Sequence, residues 1–212
     1  MTLYIESLTV NTRLGEALFS NFNLEVQCGE IATLMGPSGC GKSTLLSLIA
    51  GHLNEDFTFS GSLKLQNEEI TTLPPHQRGV GILFQDDLLF PHLTVWQNLA
   101  FALPNQIKKV QRKEMAYDAL SSIKLASLAD SYPDQISGGQ RARISLTRML
   151  LAKPKLALLD EPFSKLDRDI RKEFREWVVE QLHSANIPAI LVTHDIEDKP
   201  SQGQILSWPW SR

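Results

Sequence analysis

One nine-residue segment, residues 36–44, restricts the possible folds of this chain more than any other. It has glycines at positions 36, 39 and 41, followed by a lysine and two hydroxyl residues. The apolar run 31–35 before it is typical of a buried strand, and residues 43–50 after it show a helical pattern that ends at Gly51. The segment fits the pattern G-x-x-x-x-G-K-[ST] without a gap. We therefore expect a strand, an anion-binding loop and a helix, in that order.

Each residue type in the loop has a physical reason. Glycines allow backbone conformations in which successive N–H groups converge on phosphate oxygens at the positive end of the helix. Lys42 would place its charge between the β- and γ-phosphates of a nucleoside triphosphate, Ser43 Oγ would ligate Mg²⁺, and Thr44 would reach the α-phosphate. A chance glycine-rich turn is the competing explanation, which the flanking strand and helix disfavour. The predicted phosphate-binding residues are Gly36, Pro37, Ser38, Gly39, Cys40, Gly41, Lys42, Ser43 and Thr44.

Composition excludes several other classes of protein. A chain of 212 residues has room for one domain with a subdomain, or for two small domains at most. With 21 Lys and Arg against 24 Asp and Glu, the net charge is −3, so we expect no nucleic-acid partner. Cys28 and Cys40 lack metal or redox spacing, which favours free thiols in a reducing compartment. Neither a signal peptide nor a membrane span is recognisable, and a cytosolic protein is expected.

The remaining sequence predicts strands and helices in alternation. Apolar or alternating runs predict strands over residues 3–10, 18–26, 61–70, 80–84, 156–159 and 189–192. Spaced apolar residues predict helices between 94 and 128, with the charges at 108–114 on a solvated face rather than on a partner-binding patch. An amphipathic helix is expected over roughly 168–183. This alternation predicts an α/β fold in which helices surround a largely parallel sheet, with a helical insertion at roughly 86–151.

Two acidic residues follow the predicted strand 156–159. In open α/β sheets, the carboxyl ends of the strands form the ligand crevice, so these acids should lie beside the phosphate loop. Asp160 suits the shell of a Mg²⁺ ion, directly or through water, and Glu161 can accept a proton from a water that attacks the γ-phosphorus. The first turn of an ordinary helix is the competing explanation for such an acid pair.

Residues 137–139 form a second glycine-rich helix start. Ser137 is an N-cap candidate, because apolar residues recur at helical spacing after it. A single nucleotide on one phosphate loop does not need this second anion-binding surface. It could serve a nucleotide held by another copy of the chain.

Together these segments resemble the ATP-binding subunit of an ABC (ATP-binding cassette) transporter, in the family's order over nearly the whole chain. The resemblance identifies Gln85 as the Q-loop glutamine, residues 136–140 as the signature, residues 164–167 as the D-loop and His194 as the switch histidine. It implies the P-loop NTPase fold of ABC ATPases, with a mainly parallel core sheet, an N-terminal antiparallel β subdomain and a helical insertion.

The resemblance also implies how the chain is divided and what its residues do. Residues 1–212 would be a single ABC ATPase domain, with a catalytic core and β subdomain in 1–85 and 152–212 and a helical signature subdomain in 86–151. It implies Mg²⁺-dependent ATP hydrolysis by a head-to-tail homodimer that holds each ATP between two subunits. Catalytic roles are implied for Glu161, His194 and Gln85, and metal binding for Ser43, Gln85 and Asp160. Nucleotide contacts are implied for Ser137, Gly138, Gly139, Gln140 and Asp167.

The sequence departs from the family's pattern at several positions. Ile136 replaces the usual leucine of the signature, a conservative exchange. Lys165 stands in the D-loop where a small residue is common, and would place a charge near the dimer interface. Compared with the family, the tail after His194 is shortened, and on the resemblance we expect no C-terminal regulatory domain. Its residues Trp208 and Trp210 are interpreted as packed apolar surface rather than as a binding site.

A further departure concerns the base of the nucleotide. The family usually supplies an aromatic residue that stacks on adenine, but none stands near Arg13 and Leu14. Tyr4 and Phe19 are the nearest aromatic candidates. The resemblance therefore does not identify the residue that stacks on adenine. For His194, the alternative to a switch histidine is a core histidine at the end of a strand.

Residues 90–99 resemble a segment of the ATPase subunits of binding-protein-dependent bacterial importers, where it helps to receive a cytoplasmic helix of the permease. A packed loop is the alternative for Phe90 and Trp96. The leading hypothesis is an import ATPase, peripheral on the cytoplasmic face of the inner membrane. Two copies would serve integral membrane permease subunits, fed by a periplasmic or lipoprotein solute-binding protein.

Two other functions remain as alternatives. The first is a soluble ABC ATPase that clamps a macromolecular partner in translation or repair. The second is a regulator that binds nucleotide without hydrolysis, which the presence of both Glu161 and His194 disfavours. The sequence does not specify the transported solute.

Overall fold

The computed structural model describes residues 2–210, except for the side chain of Asp169. The strands are β1 (Leu3–Thr12), β2 (Ala17–Val26), β3 (Ile31–Met35), β4 (Phe57–Leu65), β5 (Glu68–Glu69), β6 (Val80–Leu83), β7 (Leu156–Asp160), β8 (Ala189–Thr193) and β9 (Gln204–Ser207). The α-helices are α1 (Lys42–Ala50), α2 (Val95–Ala102), α3 (Lys109–Ser122), α4 (Gly138–Leu151) and α5 (Arg168–Ala185).

A parallel sheet carries the strands on which the site depends. Its order is β6-β7-β8-β3-β9, and every neighbouring pair is parallel. All five residues of β8 are buried, as expected for a strand covered on both faces of its sheet. Met35 is paired with Thr193, and Asp160 with Val192. The register therefore brings the ends of β3, β7 and β8 to the same edge of the sheet.

The second sheet is antiparallel, with the order β2-β1-β4-β5. The prediction of one strand over 61–70 is wrong in this region. The chain turns back at Gln66 and Asn67, whose φ angles of 57° and 64° are both positive. Two-residue hairpin loops need this backbone conformation, and asparagine tolerates it better than most residues. The short strand β5 consequently folds back onto β4.

The helices α2, α3 and α4 share a hydrophobic cluster that is separate from those of the sheets. Four of the five charged residues at 108–114 are exposed, as predicted for a solvated face, and Arg112 is the half-buried exception. Arg112 donates hydrogen bonds to the carbonyls of Ala100, Leu103, Pro104 and Ile107 at 2.7–3.0 Å. This guanidinium therefore satisfies the carbonyl groups at the end of α2 and fastens the loop that leads to α3.

Asn98 of α2 shapes the loop that precedes this helix. It is fully buried, and its amide nitrogen donates to the carbonyls of Phe90, Leu93 and Thr94 at 3.1–3.2 Å. Its Oδ1 accepts a hydrogen bond from the backbone N–H of Phe90 at 2.8 Å. One side chain thus replaces the regular backbone pairing that this loop lacks.

Arg78 performs a similar task at the far end of α1. Its guanidinium donates to the carbonyls of Leu48 and Ile49 in the last turn, at 2.7 and 3.0 Å. It also donates to the carbonyls of Leu73 and Thr71, both at 2.7 Å. Only 6% of Arg78 is exposed, and burial lowers the pKa of its guanidinium. A cation at this position complements the negative end of the helix dipole.

Candidate functional site

The phosphate loop connects β3 to α1, as predicted. Gly39 and Gly41 have φ angles of 82° and 99°, in the left-handed region that favours glycine. A Cβ atom on Gly41 would lie 2.6 Å from Leu18 Cδ2, so any larger residue would collide with β2. A Cβ on Gly39 would meet nothing within 4 Å. Gly41 is thus required by packing as well as by backbone conformation, and Gly39 by conformation alone.

Lys42 lies beneath the loop as a largely buried charge, with 5% of the residue exposed. Its ammonium donates hydrogen bonds to the carbonyls of Gly36 and Pro37, at 2.8 and 3.0 Å. It lies 3.7 Å from Glu161 Oε1. The ammonium therefore joins the start of the loop to the acidic end of β7.

Ser43 and Asp160 place oxygen ligands next to each other. Ser43 Oγ donates a hydrogen bond to Asp160 Oδ1 at 3.2 Å. Burial raises the pKa of Asp160, as does the nearby charge of Glu161, while the hydrogen bond from Ser43 and the charge of Lys42 oppose this rise. A hydroxyl and a carboxylate are the hard oxygen donors that Mg²⁺ prefers, so the pair fits this ion.

Glu161 and His194 meet at the ends of neighbouring strands. His194 Nδ1 lies 3.0 Å from Glu161 Oε2, within hydrogen-bonding distance. Glu161 has a φ of 46°, a strained conformation for this residue type, and its N–H donates to the carbonyl of Val192 at 3.0 Å. The side chain of His194 is 52% exposed, which contradicts the alternative of a core histidine.

The segment that follows His194 is held by a polar network that the sequence did not reveal. Thr193 Oγ1 donates to Asp198 Oδ2, and Arg171 Nε donates to Asp198 Oδ1, both at 2.7 Å. Arg171 is also 2.8 Å from Asp195. The N–H of Glu197 and the charge of Arg171 lower the pKa of Asp195. Only 1% of Asp198 is exposed, so its carboxylate depends on these partners.

A cavity of about 300 Å³ is lined by half of the predicted site residues. Its lining is Ser38, Gly39, Gly41, Lys42, Ser43, Thr44, Gln85, Asp160 and Glu161. The sequence thus identified residues that lie far apart along the chain but face one cavity. Gln85 reaches it because β6 lies next to β7 in the sheet. Gly36, Pro37 and Cys40 belong to the loop without lining this cavity.

The signature residues lie elsewhere in the part of the chain that the structure describes. Ser137 caps α4, since its Oγ accepts a hydrogen bond from the N–H of Gln140 at 3.3 Å, as predicted. Gln140 Oε1 in turn accepts from the N–H of Ser137 at 2.8 Å, which completes a capping box. Neither Gly138 nor Gly139 lines the cavity of the phosphate loop. Asp167 lies just before α5 and, among the described residues, its carboxylate accepts no hydrogen bond that would cap this helix.

The unusual D-loop lysine has a partner within the same subunit. Lys165 forms an ion pair with Asp86, the residue after Gln85. Both side chains are more than half exposed, at 52% and 64%. The pair thus connects the D-loop and the Q-loop at the protein surface.

The two aromatic candidates for a base contact are placed unfavourably. Phe19 is buried, with its ring packed against Phe22 and Trp210, so no ring face is free for a base. Tyr4 lines a groove between the N-terminal sheet and β9, which is separate from the cavity of the phosphate loop. Leu14, in contrast, is 89% exposed.

A comparison with known families decides the class of the chain, since residues 19–164 match the family described as ABC transporter. The chain belongs to the ABC transporter family. It is 48% identical over 204 residues to the "Uncharacterized ABC transporter ATP-binding protein YnjD" of Escherichia coli (strain K12), covering 95% of this chain and 94% of the relative. ABC proteins of this kind are ATPases, so the predictions of an α/β P-loop fold, of ATP binding and of ATP hydrolysis in transport are confirmed.

Other similar ABC proteins are named for import. A "Sulfate/thiosulfate import ATP-binding protein CysA" of Pseudomonas syringae pv. tomato is 40% identical over 203 residues, covering 93% of this chain. A "Probable sulfate/thiosulfate import ATP-binding protein CysA" of Chlorella vulgaris is 41% identical over 199 residues, also covering 93%. This chain spans 61% and 83% of these two relatives. Among residues 2–210, none of the helices has the length and apolar character that crossing a bilayer requires.

Proposed function

We propose that this ABC chain is the ATP-hydrolysing subunit of an importer, with its reaction centre at Glu161. The position of this carboxylate carries the proposal. One oxygen faces the ammonium of Lys42 at 3.7 Å and the other faces the imidazole of His194 at 3.0 Å. This carboxylate lines the phosphate-loop cavity, and its position between a cation and an imidazole suits it to accept a proton.

The residues around Glu161 bind the nucleotide and orient the reacting groups. The N–H groups of residues 36–44 and the charge of Lys42 bind the phosphates of ATP. Ser43, Asp160 and Gln85 would hold a Mg²⁺ ion, which would screen the negative charge of the phosphate oxygens. Glu161 takes the proton of the attacking water, while His194 orients Glu161 and contacts the γ-phosphate.

The signature residues are assigned to a second copy of the chain. Ser137, Gly138, Gly139 and Gln140 start α4 away from the phosphate cavity, at a helix N-terminus suited to an anion. In a head-to-tail homodimer they would contact the ATP of the partner subunit, and Asp167 would lie between the two sites. The separate hydrophobic cluster of α2, α3 and α4 supports a helical subdomain over residues 86–151.

An exposed apolar groove supports an interaction with a membrane permease. Leu88 and Phe101 are 54% and 66% exposed, and they line a groove of about 340 Å³ together with Phe90. Arg148 lies over the ring of Phe90, at 5.5 Å from its centroid. The names of the CysA relatives support import. The complex would lie at the cytoplasmic face of the inner membrane, and a solute-binding protein would deliver the solute to it. The alternative, a soluble ATPase that clamps a macromolecule, would use the same groove for a different partner.

The experiment on catalysis replaces Glu161 with Gln, which keeps the shape but removes the proton acceptor. We expect phosphate release to fall by about 10²- to 10⁴-fold while ATP binding is retained. Glu173→Gln is the control, because Glu173 is an exposed carboxylate on α5 paired with Arg143. Unchanged hydrolysis in the Glu161 variant would show that another group is the base.

The experiment on the partner uses Phe101→Asp in the tagged full chain, expressed in its native host. Gentle purification from detergent-solubilised membranes should recover a polytopic permease with the wild type and much less with the variant. Phe59→Asp is the control, since Phe59 is exposed on β4, outside the groove. Recovery of ribosomal or repair proteins instead of a permease would favour the clamping alternative.

A further inference from the structure

The C-terminal tail contacts the carbonyl group that precedes the phosphate loop. The backbone N–H of Trp208 donates a hydrogen bond to the carbonyl of Met35 at 2.8 Å. The indole Nε1–H of Trp210 donates to the same oxygen at 3.1 Å. Met35 is the last residue of β3, so both donors fix the point at which the strand ends and the loop begins.

Trp208 also limits the space around the first glycine of the loop. A Cβ atom on Gly36 would lie 3.1 Å from Trp208 Cβ and 2.6 Å from Cys40 Sγ. The start of the loop is therefore enclosed between the tail on one side and a residue of the loop itself on the other. A displacement of the tail would remove one of these two walls.

Trp210 extends the contact to the other end of the loop. The residue is 3% exposed, and its ring lies 5.8 Å from those of Phe19 and Phe22 and 4.9 Å from that of Trp208. Phe19 in turn approaches Gly41, where a Cβ would lie 3.5 Å from Phe19 Cδ1. The tail thus reaches the first glycine of the loop directly and the last glycine through Phe19.

We infer that Trp208 and Trp210 are positioning residues for the phosphate loop, in addition to being packed side chains. They act on ATP binding by holding the Met35 carbonyl and Gly36 in place, and among the described residues no hydrogen bond or ring contact joins them to Glu161 or His194. A loop that is already ordered in the folded protein loses its conformational entropy during folding. This loss then does not weaken the binding of ATP. This inference rests on the proposed role of residues 36–44 in binding phosphates.

The test replaces Trp210 with Phe, which keeps an aromatic ring between Phe19 and Phe22 but removes the indole N–H. We expect the Kd for Mg-ATP, measured by calorimetry, to rise about three- to tenfold, the usual net effect of one hydrogen bond. The KM should rise with it while kcat stays within about twofold, because the catalytic residues are untouched.

The matched control is Trp177→Phe, since Trp177 lies on α5 and stacks on Phe174 at 5.7 Å, outside the contacts of the loop. Thermal unfolding of both variants separates loop positioning from general destabilisation. An unchanged Kd for the Trp210 variant would overturn the inference, as would an equal rise in Kd for the control. Failure of the wild type to bind ATP, or binding unaffected by Lys42→Ala, would instead overturn the proposed role of the loop.

Discussion

Replacing Arg78 with Met should destabilise the protein strongly, although Arg78 lies at the opposite end of α1 from the phosphate loop. Its guanidinium serves four carbonyl oxygens, those of Leu48, Ile49, Thr71 and Leu73. The carbonyl of Leu48 keeps a partner without it, because it also accepts from the N–H of Gly51 at 3.1 Å. The other three would lose the hydrogen bond from the guanidinium.

The magnitude follows from these three acceptors. Each buried carbonyl without a partner costs about 1–3 kcal/mol, and removing a buried cation returns part of its desolvation cost. We therefore expect a loss of about 3–5 kcal/mol in the free energy of unfolding, which is large for one substitution. Methionine fills part of the volume over Gly51 but supplies no donor.

Urea denaturation followed by far-ultraviolet circular dichroism measures this loss as a lower transition midpoint. Arg78→Lys is the matched variant, since it keeps the charge at the end of the helix dipole but loses the planar fork. We expect Arg78→Lys to lose about half as much free energy of unfolding as Arg78→Met. A loss below about 1 kcal/mol for the methionine variant would refute the reasoning, because it would mean that water replaces the guanidinium without cost.

Three further predictions concern side chains with contrasting burial. Asn98→Ala should cost about 2–4 kcal/mol in urea denaturation, because the fully buried amide satisfies four backbone groups; a cost near zero would contradict its role. Lys165→Ala should change stability by less than about 1 kcal/mol in thermal unfolding, since its pair with Asp86 is exposed; a larger loss would indicate a buried role. The pKa of Asp195 is lowered in the folded protein, so its ionised form stabilises the fold above the unfolded pKa of about 3.9. This stabilisation is lost as pH falls through the lower folded pKa, and the stability difference between wild type and Asp195→Asn should shrink between pH 7 and pH 3; a constant difference would disprove the linkage.

The sequence predicted best those parts that depend on local pattern and strand order. Strands β3, β7 and β8 are short apolar runs because both faces of a parallel sheet are buried. The acids Asp160 and Glu161 could be placed beside the loop because parallel strands end at one edge of their sheet. Glycine positions in the loop were equally informative, since few residues tolerate a positive φ.

Long-range polar contacts were the part that the sequence did not predict. The run 108–114 has the pattern of a solvated helix face, yet Arg112 finds its acceptors at the end of another helix. Arg171 lies in an amphipathic helix like any exposed arginine, and its partner Asp198 is distant along the chain. A charged residue shows no local signal of such a partner, because the partner is brought to it only by the tertiary fold.

The separate hydrophobic clusters have a consequence for how the protein opens. Among the described residues, the cluster of α2, α3 and α4 shares one side chain, the partly buried Trp177, with the cluster around β7 and β8, to which α4 also contributes Leu146 and Met149. Amide protons in α2 and α3 can therefore exchange with solvent by an opening that leaves the strands protected. Hydrogen exchange would then divide the molecule into two cooperative units, with Trp177 at the boundary. A substitution there would change how closely the two units open together, rather than the protection of either one.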